Sequence, residues 1–162
     1  LVTAVHCTHT SKADLEQWLS LGGNICICPL TEANLADGIF SMQRVVSHEG
    51  CLSLGSDSNA RISMIEEMRL AEYAQRLAQE QRGICSDSKG SMANWLLQAA
   101  TINGARSLGI QAGVIEIGRF ADFVIVDCSH EQLAGIEEEH LLAAICCGGD
   151  NSLIIGTLIA GE

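Results

Sequence analysis

Two polar residues, each at the end of a short apolar run, have the side chains best suited to chemistry. His6 ends an apolar run at 2–5, and Asp57 follows a second run at 51–54. Enzymes with a (β/α)8 barrel place histidine and aspartate at the carboxyl ends of parallel strands to build sites for metal-assisted hydrolysis. Because parallel strands bring their carboxyl ends to one edge of a sheet, we expect His6 and Asp57 to converge.

Each of these residues also has a plainer interpretation. Asp57 lies among small polar residues, so it could instead cap a helix or close a turn with its own backbone. His6 could be a hydrogen-bonded structural residue. Their positions at two strand ends of one predicted sheet favour a shared site. His9 lies further from the strand and is a secondary candidate, and no role is assigned to His48, His130 or His140.

The segment 28–40 follows the second predicted strand, where barrel enzymes place loops that contact substrate. Thr31, Glu32 and Asn34 could hydrogen-bond a polar substrate. The alternative is a capped turn in which these side chains serve the protein's own backbone. The sequence leaves both interpretations open.

Strand and helix patterns alternate along the first 60 residues, which predicts a βαβαβ unit and a parallel sheet. The predicted strands are 2–6, 24–28 and 51–55, and the helices between them are 12–20 and 41–48. A long amphipathic helix at 63–82 and a second helix at 92–108 follow. After Gly113 we predict a β-rich tail with strands at 114–118, 121–127 and 152–159 and a helix at 137–147.

The length of 162 residues excludes a complete barrel, which needs about 250. The chain opens directly in an apolar strand with no basic leader segment. We therefore expect it to be the carboxyl-terminal part of a longer α/β protein.

Composition narrows the possible partners. The net charge of −11 argues against binding to nucleic acid or to an anionic membrane surface. No apolar run approaches the roughly 20 residues that cross a bilayer.

The eight cysteines fall mostly inside apolar runs, which is typical of reduced thiols in the core of a cytoplasmic protein. The spacing of Cys26 and Cys28 does not match the paired C-x2-C motifs of structural zinc modules.

Several segments resemble the formimidoylglutamate deiminases, a family of the amidohydrolase superfamily. They are 2–9, 28–40, 55–58 and 66–77, and the stretch 118–127 is similar to a tail shared by many amidohydrolases. The resemblance implies that residues 1–111 form the last three strands and helices of a (β/α)8 TIM barrel. It also implies that residues 112–162 form part of a small β-sandwich.

The resemblance also implies a reaction and roles for two residues. Asp57 matches the aspartate that binds zinc and accepts a proton from its water, and His6 matches a histidine near the reacting centre. The expected reaction is hydrolysis of N-formimino-L-glutamate to N-formyl-L-glutamate and ammonia, in histidine degradation. The family's other metal ligands would precede Leu1, so we expect this chain alone to be inactive.

Two other functions remain open at this point. One is a deaminase or chlorohydrolase that acts on a ring substrate, against which the segment 31–40 argues. The other is a non-catalytic half-barrel that acts as an interaction module. The exposed sheet edges and uncovered seam of such a half-barrel predict a homodimer or larger self-associated species.

Overall fold

The computed structural model describes residues 2–162. It contains five strands and seven α-helices within that range. The strands are β1 (Thr3–Val5), β2 (Asn24–Ile27), β3 (Cys51–Leu54), β4 (Phe123–Val126) and β5 (Ile154–Leu158). The helices are α1 (Lys12–Ser20), α2 (Pro29–Leu35), α3 (Met42–Ser47), α4 (Met64–Gln79), α5 (Met92–Ala100), α6 (Ile102–Leu108) and α7 (Leu141–Gly148). Three short 3-10 helices lie at Glu131–Leu133, Glu138–His140 and Asn151–Leu153.

The first three strands form one parallel sheet in the order β1-β2-β3. This confirms the predicted βαβαβ unit. Residues of β2 and β3 are almost all buried, as a parallel sheet covered by helices requires, whereas Val5 on β1 is half exposed. All three strands therefore end at one edge, where His6 and Asp57 follow.

Serine residues begin the helices that cover this sheet. Ser11 accepts a hydrogen bond from the backbone N–H of Asp14 at 3.2 Å and so caps the start of α1. Ser63 and Ser91 cap α4 and α5 in the same way.

The long amphipathic helix predicted at 63–82 is confirmed as α4. Its apolar face packs Ile65, Met68 and Ala71 into the core formed with the sheet.

The predicted helix at 92–108 is wrong in one respect, because the structure divides it into α5 and α6 at Thr101. The backbone of Thr101 leaves helical geometry, with φ −125° and ψ −90°. Its hydroxyl donates to the carbonyl of Leu97 at 2.6 Å. Gly113 also packs directly on this point, since an added Cβ would lie 2.7 Å from Cα of Ile102. The break lets α6 turn back over β2 and β3.

The tail differs from the prediction in two places. Residues 114–118 form turns rather than a strand, because glycines with positive φ stand at 113 and 118 and the segment finds no partner strand among residues 2–162. Residues Glu138–His140 form a short 3-10 helix, so α7 begins only at Leu141 rather than at residue 137. The strands β4 and β5 pair antiparallel, as a β-rich tail requires.

Helix α7 packs on the same core as the parallel sheet. Cys146 is fully buried among core side chains, and its carbonyl accepts a hydrogen bond from Nε of Arg69 at 3.2 Å. Arg69 also binds the carbonyl of Gly149 at the end of α7, whereas Glu66, on the same helix, pairs with Arg61. The division at residues 111 and 112 stays a prediction.

None of the helices within residues 2–162 combines the length and the apolar character that a bilayer crossing requires.

Candidate active site

His6 and Asp57 come together at the carboxyl edge of the parallel sheet. Nε2 of His6 lies 3.7 Å from Oδ2 of Asp57. Both residues adopt the left-handed backbone conformation, with φ of +64° and +49°, which turns their side chains out of the strand direction. Their side chains are 35% and 41% exposed, so the pair faces the solvent at the mouth of the sheet.

Glu32 holds His6 in this orientation. Its Oε1 lies 3.1 Å from Nδ1 of His6 and accepts the backbone N–H of Cys28 at 2.8 Å. Because a carboxylate can only accept, Nδ1 carries the hydrogen and Nε2 is left facing Asp57. Glu32 is only 4% exposed and is engaged with the protein's own groups. This placement favours the alternative in which Glu32 serves the protein rather than a substrate.

Thr31 holds the backbone immediately before Asp57 in a similar way. Its hydroxyl donates to the carbonyl of Ser56 at 2.8 Å, and the residue is almost fully buried. Both Thr31 and Glu32 belong to α2, which begins with Pro29, one residue beyond the Cys28 that follows β2. The side chains of His9 and Asn34 are exposed and form no hydrogen bond within residues 2–162. The structure therefore separates the four substrate-binding candidates into two engaged and two available side chains.

A thiol also lies at this site. Sγ of Cys28, a ring nitrogen of His6 and a carboxylate oxygen of Asp57 all lie within 4.8 Å of one another. A hydrogen bond from Cys28 lowers the pKa of Cys26 to about 6. The same contact, together with burial, raises the pKa of Cys28. The pair thus shares one proton more readily than it loses both.

Glu67 lies on α4 just behind the site. It is fully buried, and its Oε2 accepts the N–H of Leu30 at 2.9 Å. The other oxygen, Oε1, has no hydrogen-bond partner among the described residues. Burial raises the pKa of Glu67 to about 7, against the hydrogen bond that lowers it. A carboxyl that is half protonated at neutral pH therefore supports the first turn of α2.

The sequence interpretation missed the position of Cys28 and the buried state of Glu67. The apolar pattern predicts Cys28 only as a core residue, although it is the first residue after β2 and so occupies the same edge as His6. That position was a usable signal. Glu67 gave no such signal, because an acidic residue near the start of a helix is normally solvated.

The donor set suits a divalent transition metal. Imidazole nitrogen and carboxylate oxygen are common zinc ligands, and Asp57 presents an oxygen toward the same point as His6. The distance of 3.7 Å between Nε2 of His6 and Oδ2 of Asp57 is longer than that of an ordinary hydrogen bond. The site as formed by this chain could also activate or orient a water molecule through the carboxylate and the imidazole.

Comparisons with known proteins identify the family of the chain. The Amidohydrolase family profile matches residues 1–162. The formimidoylglutamate deiminase of Pseudomonas aeruginosa is 34% identical over 159 residues, which are 98% of this chain and 35% of that protein. A 5-methylthioadenosine/S-adenosylhomocysteine deaminase of Pyrococcus abyssi is 31% identical over 94% of this chain and 36% of its own length.

Solved structures are similar in fold as well. An amidohydrolase from Brucella melitensis superposes with a TM-score of 0.86 at 30% identity, over 98% of this chain and 35% of that one. An adenosine deaminase from Xanthomonas campestris with bound zinc gives 0.85 at 27% identity, over 99% of this chain and 36% of its own length. The chain thus spans about a third of the proteins it matches. It belongs to the amidohydrolase family, with the fold of part of an amidohydrolase TIM barrel.

Proposed function

We propose that this chain is the carboxyl-terminal part of a zinc-dependent hydrolase acting on N-formimino-L-glutamate. Water adds to the formimino C=N carbon, and the products are N-formyl-L-glutamate and ammonia. The observation that carries the proposal is the 34% identity with a formimidoylglutamate deiminase over nearly the whole chain. The reaction would serve histidine degradation in the cytoplasm, with a small-molecule substrate.

The residues of the chain fit a divalent metal at the mouth of the sheet. Asp57 would be a ligand, and further ligands would come from the part of the protein outside this chain. When bound, the ion would lower the pKa of a water molecule and polarise the C=N bond. The zinc-containing neighbour from Xanthomonas campestris supports the choice of metal.

The chain's own residues would then move protons and orient the substrate. The Asp57 carboxylate accepts the proton that water releases on attack. His6, held through Nδ1 by Glu32, directs Nε2 toward the reacting carbon and orients the imino nitrogen. Thr31 keeps Asp57 in place through the carbonyl of Ser56. His9 and Asn34 are the available side chains that could contact the polar ends of the substrate.

A second candidate is deamination of an adenosine derivative. The Pyrococcus abyssi relative, whose name gives that activity, is only slightly less similar to this chain. The two functions share the metal, the aspartate and the release of ammonia. They differ in whether the substrate is an open-chain amidine or an aromatic ring. A non-catalytic half-barrel is the remaining alternative.

A chimeric enzyme tests these alternatives. Residues 1–162 replace the matching third of the Pseudomonas aeruginosa deiminase, and a second chimera carries them in the Pyrococcus abyssi deaminase. Ammonia release is measured with N-formimino-L-glutamate, 5-methylthioadenosine and S-adenosylhomocysteine. We expect turnover of formiminoglutamate by the first chimera and none of the ring substrates by the second. Ring deamination by the second, with the first folded and inactive, would favour the adenosine deaminase.

Variants of the active chimera test the roles of the two residues. Asp57→Asn and His6→Asn should each lower kcat by about 100-fold or more, because each removes a proton-transfer or orienting group. His48→Ala is the matched control, since this exposed histidine lies at the end of α3. Its activity should stay within about twofold of the unmodified chimera. Equal losses in all three variants would refute the assigned site.

A further inference from the structure

Glu67 is a buried acid that the proposed reaction does not use. It lies on α4 and is fully buried, and its Oε2 accepts the N–H of Leu30 at 2.9 Å. Its Oε1 has no hydrogen-bond partner among residues 2–162. A buried oxygen without a partner costs free energy, so an apolar side chain at this position would favour folding more. This cost indicates that Glu67 is useful for something other than stability.

The hydrogen bond from Leu30 meets a specific need at the start of α2. The first N–H groups of a helix have no acceptor within the helix. Pro29 has no N–H, and the side chain of Cys28 does not cap the helix. Leu30 therefore carries the first N–H of α2 that needs an acceptor, and Glu67 supplies it from 37 residues further along the chain. This bond holds the beginning of α2 against α4, on which the helix packs.

The next two residues of α2 hold the two reacting side chains. Thr31 donates to the backbone carbonyl immediately before Asp57, at 2.8 Å. Glu32 lies 3.1 Å from Nδ1 of His6 and accepts its hydrogen. Three consecutive residues of one helical turn thus link Glu67 to both members of the pair, although Glu67 itself contacts neither.

The surroundings of Glu67 favour a role as an acceptor rather than as a charge. Burial raises the pKa of Glu67 to about 7, and the nearby acids Glu32 and Glu66 act in the same direction. At neutral pH the carboxyl is therefore about half protonated. The bond from Leu30 survives in both forms, because the carbonyl oxygen of a neutral carboxyl also accepts.

We propose that Glu67 is a positioning residue for the reaction, whose hydrogen bond with Leu30 sets where α2 presents His6 and Asp57 to the substrate. The inference rests on the proposed function for the reaction at this pair, and it adds a residue that lies outside the site. What the position requires is an acceptor oxygen at the right distance from Leu30. An amide of the same length should therefore replace the carboxyl, and a shorter acid should not.

Two conservative variants of Glu67 in the chimera test this role. Glu67→Asp keeps the acid but is one methylene shorter, so its oxygens no longer reach Leu30. We expect kcat to fall about 10- to 100-fold with KM changed less than about threefold, because a small displacement of the reacting groups slows the chemical step. Glu67→Gln keeps the length and an acceptor oxygen, and its kcat should stay within about threefold of the unmodified chimera. A loss in Glu67→Gln as large as in Glu67→Asp would overturn the proposal.

Glu72 supplies the matched control, because it is a second fully buried acid of α4 that binds backbone groups away from α2. It accepts the N–H of Gly83 at 2.8 Å and that of Cys85 at 3.0 Å. Glu72→Asp makes the same shortening there, so it should lower the thermal midpoint but leave kcat within about twofold. Circular dichroism establishes that each variant is folded at the assay temperature. Equal losses of kcat in Glu67→Asp and Glu72→Asp would show that Glu67 acts only through stability.

Hydrogen exchange followed by mass spectrometry measures the hold on α2 without a substrate. In the Glu67→Asp chimera we expect faster exchange over residues 29–36, and in Glu72→Asp faster exchange over 81–86 instead. Unchanged exchange over 29–36 in Glu67→Asp would overturn the proposal. The comparison of kcat uses whichever substrate the chimera turns over. Ring deamination in place of formiminoglutamate hydrolysis would therefore refute the proposed function and leave this test intact.

Discussion

Glu67 makes the stability of the protein depend on pH near neutrality. The pKa of this carboxyl is raised to about 7 by burial, whereas an unfolded chain has the ordinary value of 4.5. Between these values the folded state holds a proton that the unfolded state has lost. The free energy of unfolding therefore falls as pH rises from about 4.5 to 7 and then levels off, by at most about 3 kcal/mol.

We expect Glu67→Gln to remove this slope. Urea unfolding followed by circular dichroism at pH 5, 6, 7 and 8 measures it. The matched control is Glu66→Gln, which changes the neighbouring residue that pairs with exposed Arg61 and should leave the slope in place. An equal slope in Glu67→Gln and the unmodified chain would show that Glu67 is not the responsible group.

The pKa of Glu72 is shifted in the opposite direction, so its contribution to stability depends on pH in the opposite sense. Burial raises its pKa, but hydrogen bonds from Cys85 and from Arg76 outweigh burial, and the net pKa is lowered. Its contribution to stability is present above about pH 4.5 and is lost as pH falls through the lowered value. The free energy of unfolding should therefore decrease in acid as Glu72 takes up a proton, and decrease between about pH 4.5 and 7 as the unfolded state loses the proton that folded Glu67 keeps.

Thr31→Val tests the support of Asp57. Valine keeps the shape of threonine but cannot donate to the buried-side carbonyl of Ser56, so we expect a loss of about 1–2 kcal/mol in unfolding free energy. The N–H of Asn59, which also donates to this carbonyl, should exchange faster with solvent. Thr157→Val, on the exposed side of β5, should change stability by less than about 0.5 kcal/mol. Equal effects would show that Thr31 carries no special contact.

At the level of elements, the break between α5 and α6 depends on Gly113. An added Cβ there would lie 2.7–2.8 Å from the backbone of Ile102 and Thr101, and φ is +85°. Gly109, which ends α6, also has positive φ but has open space around it. We expect Gly109→Ala to cost about 1 kcal/mol and Gly113→Ala clearly more, about 3 kcal/mol. Thermal unfolding of the two variants compares them, and equal losses would show that the close contact is unimportant.

Local patterns predicted the parallel unit well and the tail poorly. The helix α1 was predictable because Ser11 and the apolar spacing after it act within one helical turn. The break at Thr101 was not, because the Gly113 backbone that packs against it comes from a later part of the chain. Residues 114–118 have strand composition, yet a strand needs a partner, which composition cannot supply.

The convergence of His6 and Asp57 was predictable for the same reason that the sheet was. The carboxyl ends of adjacent parallel strands lie at one edge of the sheet, independent of the conformation of the loops. The positions of His6 and Asp57 at two strand ends were therefore sufficient to predict that they lie close together. The support from Glu32 and Thr31 was not predictable as such. That support depends on a helix that starts at Pro29. For this segment, the sequence was consistent with either a substrate loop or a capped turn.

For the whole molecule, we expect association at the outer edge of β1, because the other edge strand of the parallel sheet, β3, is buried. Among residues 2–162, β1 pairs on one side only, and Val5 is 54% exposed. An unpaired apolar edge favours contact with a second copy. We expect sedimentation velocity to show a dimer or larger species and Val5→Lys to shift it toward monomer. Leu108→Lys, at the exposed end of α6, is the control, and an equal shift would mean that β1 is not the contact.

Adjacent positions on α2 hold both chemical groups of the site. Thr31 acts on the backbone before Asp57, and Glu32 acts on the ring of His6. The two supports are therefore mechanically coupled, since any rigid displacement of α2 carries imidazole and carboxylate in the same direction. We expect such a displacement to move the pair relative to the sheet with little change in the distance between Nε2 of His6 and Oδ2 of Asp57. An ion or water molecule between the two side chains would thus keep nearly the same distances to the imidazole and the carboxylate.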